Sequence, residues 1–334
     1  MARPANNNSD LLKKSLIANV LLSIAILALI VFVFYQNQYY HQLGGTGSGQ
    51  TGNTPKQSNT TNTGTLANIN TPFNSTELSY INNEPLSYYE AAGELLLNGS
   101  LTNQVVVSGN LQYNALIFNG KPSVVYFGAI SCIFCGENRW AMALALGKLG
   151  NFTQLFKGYS ALQDGDVPTV YWVPANYTET AGVNFGAYYS SKYINFLAAD
   201  FQSPITGGFQ IQPISYFIQK SPNTTYTTAL KFLNSTGKFQ GTPFTFWGTT
   251  LVGGADGVIF GNSTPSSASN LPIAQMTHGE ILKAFNSFHS QFAYSEFAAA
   301  DVYIAMVCPT ISESAPVCAL PSITKLQKVM NLTH

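Results

Sequence analysis

Apolar positions fall along this chain in blocks of different period, and each block predicts a different element. From Ser15 to Tyr35 the residues are almost all apolar, broken only by Asn19 and Ser23. A helix of that length spans the ~30 Å hydrocarbon core of a bilayer, so one transmembrane helix is expected. A secretory signal peptide is the competing reading, but its apolar core usually runs about 7 to 15 residues and ends in small residues. Phe32, Phe34 and Tyr35 lead straight into Gln36, so an uncleaved anchor is the expectation. From Gln42 to about Pro72 the chain is mostly Gly, Ser, Thr, Asn and Gln. Such a stretch buries too little apolar surface to offset its ordering entropy, which predicts a flexible tether.

Beyond the tether the periods alternate. Leu86 to Leu97 has helical spacing and stops at Asn98-Gly99. Val105 to Val107 and Ala115 to Phe118 read as short strands, with Asn119-Gly120 as a turn. Ser123 to Phe127 (SVVYF) is a short apolar run suited to a buried central strand. Cys132 to Leu149 follows as a helix closed by Gly150, and Thr169 to Val173 (TVYWV) as a second buried strand. Strand, helix, strand predicts a βαβ unit and an α/β domain. Later, Thr277-His278-Gly279-Glu280 has the form of a capping box ahead of Ile281, Leu282, Phe285 and Phe288. His278 and His289 are then expected on a helix surface rather than in a catalytic role. Glu296 to Val307 predicts a further apolar helix ending at Cys308-Pro309. No repeat of solenoid period is present.

Charge orients the anchor. Arg3, Lys13 and Lys14 precede the apolar run and the first cation after it is Lys56, so the N-terminus is expected in the cytoplasm. Tyr35, Tyr39 and Tyr40 would then meet the outer interface. The expected layout is a cytoplasmic N-terminus at 1–14, an anchor at 15–35, a linker at 36–75 and an extracellular domain at 76–334. Only 9% of residues are Asp, Glu, Lys or Arg and the formal net charge is zero. That composition offers no basic patch for nucleic acid. Solubility must come from uncharged polar residues, with glycans on Asn-x-Ser/Thr acceptors such as Asn74, Asn151 and Asn223 as a further source. A surface with few ion pairs changes little when carboxylates protonate, so an acidic exterior is expected.

The chemistry is carried by Cys132-Ile133-Phe134-Cys135, at the turn from the predicted strand into the predicted helix. Backbone N–H groups and the positive end of the helix dipole at such a turn favour a thiolate on the first cysteine. Cys132 would attack a substrate disulfide and Cys135 would resolve the mixed disulfide. The same spacing also serves zinc sites and plain structural disulfides. Zinc would need two more ligands, and His41, His278, His289 and His334 show no ligand spacing, so neither a metal nor a cofactor is expected.

The run Gly120 to Ala129, then Cys132-Ile-Phe-Cys135, Glu137-Asn-Arg139-Trp140, Ser190 to Phe196, Thr242-Pro243-Phe244 and the late pair Cys308 and Cys318 resembles domain of unknown function 929. This is a family of exported thioredoxin-like proteins from acidophilic archaea and actinobacteria, and the likeness runs from about Asn82 to Leu320. The resemblance implies a thioredoxin-like sheet and thiol–disulfide exchange. It also implies that Pro243, in the cis form, begins a strand facing the cysteines, with Thr242 offering backbone groups to substrate. An ordinary trans proline at a strand start is the alternative. Three departures stand out: Ile133 where the family commonly has Pro, Ser131 where thioredoxins have an aromatic residue, and Tyr126 where thioredoxins have a buried Asp.

The ~260 residues after the tether exceed one such core, so a large insertion is expected, holding a strand at Lys192 to Phe196 and a helix at Thr227 to Leu233. Cys308 and Cys318 read either as a second redox pair or, as expected here, as a structural disulfide. Partners on this reading are thiols or disulfides of exported proteins and a membrane redox protein. The competing function is a surface interaction protein whose cysteine pairs are inert staples.

Overall fold

The computed structural model describes residues 69–101, 105–106, 111–130, 132–160, 167–175, 182–202, 214–236, 243–253, 259–260 and 272–332. The predicted anchor, the cytoplasmic N-terminus and most of the linker lie outside these residues. Among the described residues no helix is long and apolar enough to cross a membrane. The end of the expected linker belongs to the folded unit, because the Asn70 and Phe73 N–H groups donate to the Lys157 and Leu155 carbonyls.

Asn74 opens α1 (Ser75–Asn82) through a capping box with Glu77. Helix α2 (Leu86–Leu97) follows with the bounds that its apolar spacing predicts. Strands β1 (Val105–Val106), β2 (Leu111–Gln112), β3 (Ile117–Phe118) and β4 (Lys121–Ala129) come next. Phe118 pairs with Lys121, leaving Asn119 (φ 49°) and Gly120 (φ 76°) as a two-residue loop. Two successive left-handed residues suit the twist of a tight hairpin, and Asn-Gly supplies them at low strain. Helix α3 (Ile133–Leu149) leaves the end of β4. Five short strands, β5 (Asn151–Phe152), β6 (Phe156–Ser160), β7 (Val167–Tyr171), β8 (Gly182–Phe185) and β9 (Tyr189–Ser190), lead to β10 (Asn195–Gln202). Then come α4 (Ile214–Lys220), α5 (Thr224–Thr236), β11 (Phe244–Trp247), β12 (Thr250–Gly253), β13 (Ile259–Phe260), α6 (His278–Ser287), α7 (Gln291–Val307) and α8 (Pro321–Val329).

The principal sheet runs β2-β12-β11-β4-β10-β8, with β3 also paired to β4. Strand β10 lies parallel to β4, from Asn195 opposite Ser123 to Phe201 opposite Ala129. Strand β11 lies antiparallel on the other side, with Phe244 opposite Phe127. Side chains of β4 alternate between two layers. Val124 and Tyr126 join a core with α1, α2, α3, α6 and α7, whereas Val125 and Phe127 join one with α4 and α5. Helix α7 is buried from Ala293 almost throughout to Val307, which explains its nearly uninterrupted apolar sequence. The fold is thus mixed α/β, with a mixed sheet and C-terminal helices.

Three expectations are corrected. The segment at Thr169–Val173 does form a buried strand, β7, but it pairs with β6 in a separate two-stranded sheet. Pro168 gives a reason, since it cannot donate to a central ladder; its carbonyl instead accepts from Trp140 Nε1 at 3.0 Å. The parallel partner of β4 is β10, so the segment around Lys192–Phe196 belongs to the central sheet rather than to an insertion. Helix α5 likewise covers that sheet, and the additional material is β5, β6, β7 and β9, with β8 returning to the sheet's edge beside β10. His278 is buried rather than on a helix surface. Its Nε2–H is shared between the Gly158 and Thr169 carbonyls at 3.0 and 2.8 Å. His289 is exposed.

Candidate functional site

Strand β4 and helix α3 set the geometry of the cysteine pair. Cys132 is the N-cap of α3, with extended backbone (φ −77°, ψ 119°), and its Sγ accepts the Cys135 N–H at 3.2 Å. The sulfur therefore satisfies one of the N–H groups that a helix start leaves without an intrahelical partner. The Cys132 carbonyl accepts from Gly136 N–H at 2.9 Å, and its own N–H donates to the Ala129 carbonyl at 3.2 Å. Cys135 Sγ in turn accepts the Ala129 N–H at 3.4 Å. No disulfide joins the two, Cys132 being 8% exposed and Cys135 fully enclosed.

The chain across the sheet converges on the same end. Because β11 is antiparallel to β4 and pairs Phe244 with Phe127, the buried Pro243 falls level with the C-terminal end of β4. That is the end from which the chain enters the Cys132 turn. Thr242 and Ser131 lie outside the described residues. Cys308 and Cys318, by contrast, form a disulfide between the end of α7 and a short 3-10 turn, with Cα atoms 5.7 Å apart. They pack at the margin of the other core.

Behind the thiols lies a buried charged group that the sequence reading did not single out. Arg139, on α3, is fully enclosed; its Nη2 donates to Asp200 Oδ1 at 2.5 Å and to the Ala129 carbonyl at 3.1 Å. The guanidinium carbon stands 5.6 Å from the Tyr126 ring centre and 5.8 Å from that of Tyr171. Burial alone would lower the Arg139 pKa, but Asp200, Tyr126 and Cys135 together raise it above its ordinary value. Burial holds Tyr126 protonated, with Arg139 acting against that and Cys135, Asp200 and Cys132 adding to it. A side chain at position 128 would collide with the Tyr126 hydroxyl, at 1.8 Å from an added Cβ, so Gly128 lets Tyr126 lie along β4 toward this cluster. The sequence does carry a signal: Asp200 interrupts an apolar strand, and Arg139 directly precedes the apolar run Trp140–Leu146 of α3. Charges inside apolar runs mark a buried pair.

The β6–β7 hairpin packs on the start of α3. Thr169 Oγ1 donates to the Gly136 carbonyl at 2.7 Å, immediately after Cys135. Among the described residues no group of three His, Cys, Asp or Glu is arranged to hold a metal ion.

The sequence model of a family described as Domain of unknown function (DUF929) matches residues 107–216. That segment holds β4, the cysteine pair, α3 and β10. No curated protein and no solved structure matches the chain.

Proposed function

We propose, for a chain whose residues 107–216 match the domain of unknown function 929 model, that it is a membrane-anchored, extracytoplasmic thiol–disulfide oxidoreductase acting on exported proteins. The observation that carries this reading is Cys132 Sγ at the N-cap of α3, accepting the Cys135 N–H. A hydrogen bond to sulfur and the positive end of a helix both favour thiolate over thiol. Sheet order supports a thioredoxin-like core: the strand before the cysteines has a parallel neighbour, β10, on one side and an antiparallel one, β11, on the other, with Pro243 directly before β11. Cys132 would form the mixed disulfide, Cys135 would resolve it, and Thr242 and Pro243 would line the substrate strand. The Ser15–Tyr35 run would anchor the domain outside the cell, and a membrane redox protein would recycle the pair.

One observation favours a second reading, that of a surface interaction protein with an inert cysteine pair: Cys135 is wholly enclosed and Cys132 keeps only 8% exposure. Alkylation and redox equilibration separate the two. The oxidoreductase reading expects Cys132 to alkylate faster than a model thiol at neutral pH, and the pair to equilibrate with glutathione at a potential above about −300 mV. Slow alkylation together with a potential below that value would establish the inert pair.

A further inference from the structure

From the placement of Arg139 beneath the cysteines we infer that its guanidinium, fixed by Asp200, is a positioning residue for the resolving step: it holds Cys135 in positive potential where solvent cannot. This rests on the exchange reading above. Arg139 lies four residues after Cys135 on α3, which puts the two side chains on the same helix face, with Cβ atoms ~5–6 Å apart. The peptide chemistry of one residue links them. Ala129 gives its N–H to Cys135 Sγ and its carbonyl to Arg139 Nη2. Arg139 Nε and Nη1 have no hydrogen-bond partner among the described residues, so the cation is not fully engaged by Asp200.

The need for such a charge follows from burial. Cys132 keeps 8% exposure and the Cys135 N–H on its sulfur, whereas Cys135 is fully enclosed, with the Ala129 N–H on its sulfur, in an apolar layer that includes Val125, Phe127 and Phe244. Desolvation disfavours the anionic form of a thiol. In the resolving step the Cys135 sulfur attacks Cys132 of the mixed disulfide. The Cys132–Cys135 bond forms, the bond between Cys132 and the substrate sulfur breaks, and two electrons pass to the substrate. The Cys135 proton ends on the departing substrate thiol, so no further reactant is needed. A fixed cation next to Cys135 stabilises the charge that this sulfur gathers before attack. The groups around it include Tyr126 from β4, Arg139 from its own helix with Asp200 of β10 on the guanidinium, and Cys132 across the turn. Tyr126 stays neutral and Asp200 is taken up by the guanidinium. A purely structural ion pair, tying β10 to α3, would have the same contacts but no effect on the sulfur.

The test is the thiolate absorbance of the full-length chain against pH in a Cys132→Ser background, where Cys135 is the thiol that titrates and Cys308–Cys318 is silent. Removing both charges, Arg139→Met with Asp200→Leu, is expected to move the midpoint up by about one pH unit. That is about tenfold less thiolate at a pH below it. Arg139→Lys keeps a cation and should recover most of the shift. Asp200→Asn removes only the counter-charge and should move the midpoint the opposite way, which keeps the inference testable if the double variant does not fold. An unchanged midpoint in a folded double variant, or an unchanged or raised one in Asp200→Asn, overturns it. Exchange with a small disulfide, measured separately with both cysteines present, tests the function itself. A chain that titrates as expected yet exchanges nothing would sink the oxidoreductase reading and leave the electrostatic one standing.

Discussion

Replacing Glu296 by Gln is expected to flatten the dependence of stability on pH. Glu296 on α7 and Glu137 on α3 are both buried, and neither Glu296 oxygen nor Glu137 Oε2 has a hydrogen-bond partner among the described residues. Burial raises the Glu296 pKa well above its ordinary value, and Glu137 adds to the rise. Burial likewise raises Glu137. Asp301 is raised by burial and then by Glu90, with only the nearby Gly93 N–H acting the other way. In the unfolded chain these groups titrate near about 4. Their folded pKa values are the higher ones, so the stability they permit is fully present below about pH 4 and falls as pH rises toward the folded values. Within that window each such carboxyl costs about 1.4 kcal/mol per pH unit, and three together cost roughly 4 kcal/mol per unit.

His278 has the opposite sign. Burial lowers its pKa from 6.5 to about 4 despite bonds to the Thr169 and Gly158 carbonyls, so its contribution is present above pH 6.5 and lost as pH falls toward 4. It offsets about one carboxyl over that range, while Glu84, which burial raises to about 7 against the pull of Lys148, adds to the carboxyl side; the net loss is roughly 3–4 kcal/mol per pH unit on going from pH 4.5 toward 6.5. A domain's whole stability is about 5–15 kcal/mol, so this slope dominates. Chemical denaturation of the full chain at a series of pH values should show greater stability at pH 4.5 than at 6.5. Glu296→Gln, which mimics the protonated form, should match the parent near pH 4 and lose about 1.4 kcal/mol less per unit above it. Parent stability that rises with pH over this range, or a variant of identical slope, would mean that these carboxyls are solvated or ionised in the folded protein.

Other expectations follow from single contacts. Cys308→Ser with Cys318→Ser opens a disulfide of sequence separation 10 and should cost about 2.5 to 3 kcal/mol by denaturation, on the chain-entropy treatment. Gly128→Ala places a Cβ 1.8 Å from the Tyr126 hydroxyl; the enclosed ring must shift, with a loss of about 1–3 kcal/mol and an altered tyrosine ultraviolet spectrum. Thr277→Ala removes the hydroxyl that accepts the Glu280 N–H and donates to the Glu280 carboxylate at the start of α6, leaving the Thr277 N–H bond to that carboxylate; it should lower stability by about 0.5–2 kcal/mol, with early hydrogen exchange confined to the first turn of α6.

Local signals in the sequence were legible where one stretch of chain decides the outcome. The Asn119-Gly120 hairpin, the α2 bounds, the helix capped by Thr277 and the turn from β4 into α3 all rest on spacing or capping within a few residues. Strand partnership was not legible in this way. β7 looks the better central strand by composition, yet β10, interrupted by Asp200, lies beside β4. The interruption is compensated by Arg139, which is 61 residues away in sequence. His278 was misplaced for a related reason: a capping box locates a helix start but does not say that the β6–β7 hairpin will cover it.

The same partnerships show where the few charges of this chain are spent. Of its 15 Asp and Glu, five are buried among the described residues: Glu84, Glu137, Asp200, Glu296 and Asp301. Arg139 is the one cation buried with them, and Asp200 the one buried carboxyl among the described residues in a salt bridge. Arginine keeps its charge at any pH that a protein meets, whereas the unbridged carboxyls can become neutral by binding protons. Acid therefore removes negative charge from the interior without removing the positive charge behind Cys135. If the domain works in acid, as its charge-poor composition leads one to expect, few ordinary thiols would ionise there. A buried guanidinium beside Cys135 would then matter more than it would at neutral pH, and the thiolate titration of Asp200→Asn and the charge-free pair would show the largest separation on the acid side.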